Sequence, residues 1–426
     1  MIGRLISFSL RNRLLVVLVA TGLFGWGLYR MLQAPVDAIP DLSENQVIVF
    51  TEWSGRSPQV IEDQITYPLV TNLQALPDVD YVRANSMFGM SFVYVIFREE
   101  ADIYQARARV LERLNFASRL LPEGVSPTLG PDGTGVGHIL WYTLDAPGMD
   151  LGELRAVQDW YVRFGLQTVD GVSEVASFGG FQRQYQITAD PARMAFHDLT
   201  FRDLRMAVEQ NNNETGGRKF ELGGTGYIIR TTGYLKSAEE IAATTVRADN
   251  RGVVRIRDVA TVQPAAEART GIFDFNGDGE AVGGIVVMRY GANADAVITA
   301  VKEKMESVAR GLPEGVKFRI VYDRSELIRE SVTSVRDTLI EEMIMIAVVV
   351  LVFLFNVRSA LSILIQIPVT VATSFILLDL AGISSNIMSL TGIALAIGVI
   401  ADNGIIMAEN AYQQLSLRSS SKSAQP

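Results

Sequence analysis

Ile387–Asn410 reads IMSLTGIALAIGVIADNGIIMAEN. Ile387 to Ala401 holds no charged residue, and Asp402 then interrupts an apolar run that resumes over Ile405–Ala408. About 20 apolar residues suffice to span a bilayer as a helix. A carboxylate in the middle of such a helix costs about 2.5–3.5 kcal/mol on insertion scales, so intramembrane acids mark ion or proton paths. Asp402 is therefore the candidate functional acid; the alternative is an acid near the cytosolic end that reaches back to water. Ala394, Gly398 and Asp402 recur at i, i+4, with Glu409 two turns further on. Small residues at that spacing let helices approach closely, so the spacing predicts an acid packed inside a helix bundle.

Outward from this helix, the 426-residue chain has room for two or three domains, and its apolar residues are pooled at its ends around a polar middle. A mean hydropathy of +0.21 averages the two, and the class is an integral membrane protein with a large soluble insert. A net charge of −9 argues against a nucleic-acid partner, which needs a basic face. With no cysteine there are neither disulfides nor thiolate metal sites, and His138 and His197 alone are too few for an imidazole zinc site. Any metal handled here meets thioether or oxygen ligands. No Walker motif, nucleophile elbow or zinc-protease signature is present, so the chain does not read as an enzyme.

Arg4, Arg11 and Arg13 precede an apolar run, Leu14–Leu32, longer than a signal-peptide core and read as a retained anchor with a cytoplasmic N-terminus. From Ala34 to about Glu341 no segment reaches spanning length, which places that part across the membrane, in a bacterium the periplasm. There Gln46–Phe50, Tyr81–Ser86 and Phe92–Phe97 read as strands, and Pro58–Leu73 and Ile103–Leu120 as helices, a split βαβ pattern. Further on, Ile139–Leu144, Leu151–Thr168 and Val172–Ser177 read as strand, helix and strand. LPEGV occurs at Leu121–Val125 and again at Leu312–Val316, each time after an amphipathic helix and before a strand, so two related modules bracket the insert. NNNETGG, Asn211–Gly217, reads as a surface hairpin in a third subdomain. Later spans are expected at Met343–Phe355, Leu361–Leu380 with Pro368 as a kink, and Ile387–Ala408, with Arg358, Arg418 and Lys422 on the cytosolic side. The closing SLRSSSKSAQP reads as structureless.

APVDAIPDLSENQVIV at Ala34–Val49, GRSPQVIEDQITYPL at Gly55–Leu69, FVYVIF at Phe92–Phe97, LGPDGTGVG at Leu129–Gly137 and the AxGxxxDxxIxMxEN pattern of the last span resemble the N-terminal half of a resistance-nodulation-division (RND) heavy-metal efflux pump, the CusA/CzcA family. The resemblance implies four transmembrane helices plus periplasmic α+β porter subdomains of βαβ, ferredoxin-like type. It divides the chain into 1–33 (N-terminus and first span), 34–133 (first porter subdomain), 134–180 with 273–328 (second), 181–272 (docking-like), 329–410 (remaining spans) and 411–426 (Ser-rich tail).

The resemblance further implies a multi-pass inner-membrane protein, a homotrimer working with a periplasmic adaptor and an outer-membrane channel, and exchange of protons for substrate through Asp402 and Glu409. It implies no cofactor, the metal ion being cargo. Ala396 stands where the divalent-cation pumps carry a second aspartate, and Asn403 follows Asp402 where drug pumps carry an adjacent one, so the single acid resembles the copper/silver CusA type. Met388 and Met407 match methionines of that type's relay for Cu(I) or Ag(I), which soft sulfur prefers, while Ile400 and Ile228 stand where the relay has methionine. The other reading of Met388 and Met407 is plain helix packing. Pumps of this family are about twice as long, the second half supplying the ion-gripping methionines and the relay lysine. A truncation, a frameshift product and a half-size subunit are all open, and a second pump half is the expected partner. The competing functions are a non-transporting pump half or adaptor-binding module, and drug efflux.

Overall fold

Strands and helices alternate in two units that obey one strand order. The computed structural model describes residues 2–34, 37–214, 216–230, 233–250, 252–269, 271–354 and 357–423. Thr215 of the Asn-rich segment, Phe355 at the expected end of the second span and Ala424–Pro426 of the tail lie outside them.

Two helices open the chain, α1 (Ile2–Arg11) and the apolar α2 (Arg13–Gln33). The first unit follows: β1 (Gln46–Glu52), helix α3 (58–73), β2 (Val79–Met87), β3 (Met90–Phe97), α4 (Ile103–Ala117) and β4 (Thr128–Leu129). Its antiparallel sheet has the order β2-β3-β1-β4. Alternation along β1 buries Val47, Val49 and Thr51, and helical spacing along α4 buries Ala106, Val110, Leu114 and Ala117 over the same face. Asp102 starts α4 by accepting a hydrogen bond from the Gln105 backbone N–H at 2.8 Å.

The second unit repeats the plan with β5 (Gly133–Asp145), α5 (151–167), β6 (Val172–Gly179) and, after a long insertion, β13 (Val282–Arg289), α10 (Ala294–Ala309) and β14 (Lys317–Asp323). Its order, β14-β5-β13-β6, is that of the first sheet with the ends exchanged, fourth strand, first, third, second. The LPEGV repeats occupy equal places. Gly124 and Gly315 adopt φ of +83° and +93°, and the Val125 and Val316 backbone N–H groups donate to Pro122 and Pro313 at 3.1 and 3.2 Å. A turn of this kind needs positive φ at its third residue, which glycine supplies without strain.

α3 and α5 each contain one π-helical turn, Glu62–Thr66 and Gln158–Val162. Both carry a buried polar side chain bonded to the sheet: the Thr66 hydroxyl lies 2.8 Å from those of Ser86 and Ser91, and Gln158 bonds Tyr142 Oη at 3.0 Å and Ser177 Oγ at 3.2 Å. Burial pushes the Tyr142 phenol well above its ordinary pKa.

The insertion holds β7 (Arg183–Ala189), α6 (Pro191–Phe196), α7 (Phe201–Asn211), β8 (Gly216–Leu222), β9 (Thr225–Arg230), α8 (Ala238–Ala243), β10 (Thr245–Asp249), β11 (Gly252–Arg255), α9 (Ile256–Val259) and β12 (Ala260–Ala266). β7 and β12 pair from Arg183↔Ala266 to Ala189↔Ala260. The Asn-rich segment ends α7 and leads into the β8–β9 hairpin.

Three long helices close the chain: α11 (Arg324–Leu354), α12 (Val357–Leu380) and α13 (Ile387–Ser423). Arg13–Gln33 and Ile387–Ala411 are, among the described residues, the two helices long and apolar enough to cross a membrane, and Ile365–Leu380 is a shorter apolar helix. Pro368 lies within α12 without ending it. α2 packs on α12 at Gly27, where an added Cβ would stand 2.2 Å from the Ala372 carbonyl oxygen. The tail departs from the sequence expectation, since α13 stays helical to Ser423 instead of dissolving after the last apolar residue. No glycine or proline stands between Gly404 and Pro426 to stop it.

Candidate functional site

α13 begins with a reciprocal cap. The Ser389 backbone N–H donates to Asn386 Oδ1 at 3.0 Å while the Asn386 N–H donates to Ser389 Oγ at 2.9 Å. From there Ile397 faces inward to pack with Ile367 of α12 and with Leu339, Met343 and Ile346 of α11, and Ala394 is buried as well.

Asp402 lies on a different side. It is exposed in this chain, as are Met388, Leu395, Val399, Ile406 and Glu409, which form one stripe along α13. The expectation of an acid packed within these helices is corrected by helix geometry. At about 100° per residue, eight residues carry Asp402 about 80° round the axis from Ala394, out of the buried seam. Glu409 returns to within about 20° of Asp402 and stands about 10 Å along the axis, while Met388 is about 40° away and about 21 Å distant. Met407 points about 140° from Asp402, and the two methionines are separated by about 28 Å of helix. The structure thus brings Met388, Asp402 and Glu409 to one open stripe and leaves Met407 elsewhere. Ile400 is half-buried on the packed side.

Charged residues that sequence reasoning passed over gather at the other end of the bundle. Arg30 of α2 pairs with Asp379 of α12, and Arg324 of α11 is buried with its Nε 2.8 Å from Asp37 Oδ1. Arg30 and Asp379 each end an apolar run, which was the available signal. Glu342 of α11 has a buried Oε2 with no hydrogen-bond partner among the described residues. No group of three or more His, Cys, Asp or Glu is placed to hold a metal among the described residues. The cavity of about 420 Å³ beside α5 is lined by Arg155, Trp160, Arg163, Phe164 and Arg183, cationic and aromatic rather than thioether in character.

The profile of the AcrB/AcrD/AcrF family matches residues 5–425. The chain is 45% identical over 418 residues to the cation efflux system protein CusA of Escherichia coli K12 and 44% identical to the putative cation efflux system protein SilA of Salmonella typhimurium, covering 97% of this chain in each case. It is 37% identical to the cation efflux system protein CzcA of Alcaligenes sp. CT14. The chain spans about 40% of the length of these relatives, which are transport proteins and not enzymes. Among solved structures, a heavy-metal efflux pump superposes with a TM-score of 0.85 at 30% identity, over 96% of this chain and 41% of that one. With a family profile matched nearly end to end and the same fold in a solved relative, the chain belongs to the AcrB/AcrD/AcrF family, in its RND heavy-metal cation efflux branch.

Proposed function

We propose that this chain is an inner-membrane component of a proton-driven efflux assembly for heavy-metal cations, with Cu(I) or Ag(I) as cargo. The observation that carries the proposal is Asp402, an acid on the open stripe of a predominantly apolar, membrane-length helix. A carboxylate there is stable only against a partner, and the stripe is the face on which a second pump half packs. Asp402 takes and releases the proton, and Glu409 serves it on the cytosolic side. One charge moving through the membrane potential supplies about 2.3 kcal/mol per 100 mV, comparable with the cost of holding Asp402 ionised in one state.

Thioether sulfur favours soft monovalent ions, so Met388 and Met407 are separate stations for the cargo, too far apart to share one ion. The four-span topology, the periplasmic placement of both sheet units, the docking role of the insertion, a homotrimer, and an adaptor with an outer-membrane channel belong to the same proposal.

A second reading, a non-transporting membrane module that assembles or binds an adaptor, draws on the 40% share of the relatives' length that the chain spans. One experiment separates the two. The chain is reconstituted in proteoliposomes with a polypeptide supplying the remaining length of its 45%-identical relative, and silver-dependent proton movement is followed with a pH dye. Asp402→Asn keeps the shape and removes the titration; it is expected to abolish proton movement with assembly unchanged. Full exchange in the variant refutes the role of Asp402, and no exchange by the unaltered pair favours the second reading.

A further inference from the structure

Arg324 opens α11, and its side chain is only 2% exposed. It donates to the Val136 carbonyl of β5 and faces Asp37, in the segment between α2 and β1. Asp37 reaches further. Its backbone N–H donates to the Ser385 carbonyl at 2.9 Å, immediately before the Asn386–Ser389 cap of α13, and the Ile387 N–H approaches the Ala38 carbonyl at 3.5 Å. Ala38 itself is 1% exposed within the core of the second sheet unit, where Ile328 of α11 is also buried. A continuous path therefore runs from the second sheet through Arg324 and Asp37 to the capped start of the helix that carries Asp402.

Two features suit this contact to motion. α11 is unbroken from the sheet core to Leu354, so its first turn and its apolar end move as one piece. Among the described residues Arg324 is also under-bonded: its Nε lies close to Asp37 but out of line for a hydrogen bond, and its Nη2 has no acceptor. Buried donors left without acceptors hold a guanidinium less firmly than a full set of hydrogen bonds would.

We propose that the Arg324–Asp37 pair is the joint that holds the second sheet unit to the membrane helices and passes displacement of α13 to that unit. Arg324 and Asp37 are positioning residues. The joint stands independently of cargo and proton; its use in transport rests on the function proposed above.

The chain has no cysteine, so spin labels at Glu306→Cys, exposed on α10, and Ala381→Cys, exposed in the turn before α13, report the distance between sheet unit and membrane helices. Unaltered chain in nanodiscs is expected to give one narrow distance distribution. Asp37→Asn and Arg324→Gln are each expected to broaden it, about doubling its width, as when a fixed body becomes hinged. Arg324→Lys, which keeps the charge without the fork that reaches both Asp37 and Val136, falls between. Asp145→Asn cuts the Arg319–Asp145 pair, which lies wholly inside the second unit at 2.6 Å, and leaves the distribution unchanged. Amide exchange along β5 and β13 distinguishes a loosened joint, in which strand protection persists, from a merely stabilising contact, whose loss raises strand exchange. Distributions in Asp37→Asn that superimpose on the unaltered chain, or broaden only together with faster strand exchange, overturn the joint.

A further arm tests transmission. Asp402→Asn is expected to shift the mean distance in the unaltered background and not in Asp37→Asn. With the joint variants broadened and this shift absent, the joint stands and the role given to Asp402 fails.

Discussion

Gly27→Ala tests the packing that brings α2 onto α12. Its Cβ would stand 2.2 Å from the Ala372 carbonyl oxygen and 2.8 Å from the Ala372 Cβ, and Ala372 is itself 3% exposed. Ordinary contact needs about 3.5 Å, so the helices must part by about 1 Å, and a gap of that size forfeits a quarter to a half of the dispersion energy of each facing atom pair. Overpacking of this kind costs about 1–3 kcal/mol. Ala is a better helix former than Gly by about 1 kcal/mol, which offsets part of it. The same helix supplies the control. Gly22 and Gly25 have nothing within 4 Å of an added Cβ, so Gly22→Ala and Gly25→Ala gain propensity and meet no clash. About 1–3 kcal/mol therefore separates Gly27→Ala from either control variant. The assay is unfolding of the purified chain by SDS titration from mixed micelles, read by far-ultraviolet circular dichroism. If Gly27→Ala unfolds at the same SDS fraction as Gly25→Ala, the close approach of α2 and α12 is refuted.

Burial opposes ionisation of Asp323, but hydrogen bonds from Lys302 and Ser325 outweigh it and hold its carboxyl below its ordinary value. A depressed folded pKa stabilises above the unfolded value, about 3.9, and that stabilisation fades as pH falls through it toward the folded value. Asp323→Asn is expected to lose about 1–3 kcal/mol at pH 7, with the gap from the unaltered chain closing below about pH 4; a gap constant down to pH 3 counts against it. Tyr142→Phe removes a hydroxyl bonded to fully buried Gln158, and urea unfolding is expected to show a loss of about 1–3 kcal/mol, with no loss meaning the network is dispensable. Cysteines at exposed Ser54, Gln182 and Glu306 are expected to react with an impermeant maleimide on intact spheroplasts, and protection of all three until lysis contradicts the topology.

Much of the extramembrane fold was legible because local pattern and tertiary need agree there. The alternation of Val47, Val49 and Thr51 and the spacing of Val110 and Leu114 each name the buried face, and the paired LPEGV turns name the repeat. What escaped was long-range or angular. Nothing local tells that β5 pairs with β14 across the whole insertion, or that Arg324 meets Asp37, because chain separation carries no periodic signal. The π-helical turns in α3 and α5 look like ordinary helix in sequence. Asp402 stands out by its chemistry, but within these helices it lies off the buried seam, since an i, i+4, i+8 series drifts about 80° and small residues mark a close approach only where they stand. Serine content suggests a structureless tail, but the absence of a breaker decides for helix to Ser423.

The insertion leaves the second sheet from β6 and rejoins it at β13, and these strands are hydrogen-bonded neighbours, with Gly179 opposite Val282. Its two ends are thus already side by side before any of it folds, and doubling the length of such an excursion adds only about 0.6 kcal/mol of closure entropy. The mouth of the β6–β13 hairpin is consequently a natural grafting point: a cassette of different size, a foreign domain or a fluorescent reporter seated there strains none of the four strands beneath it.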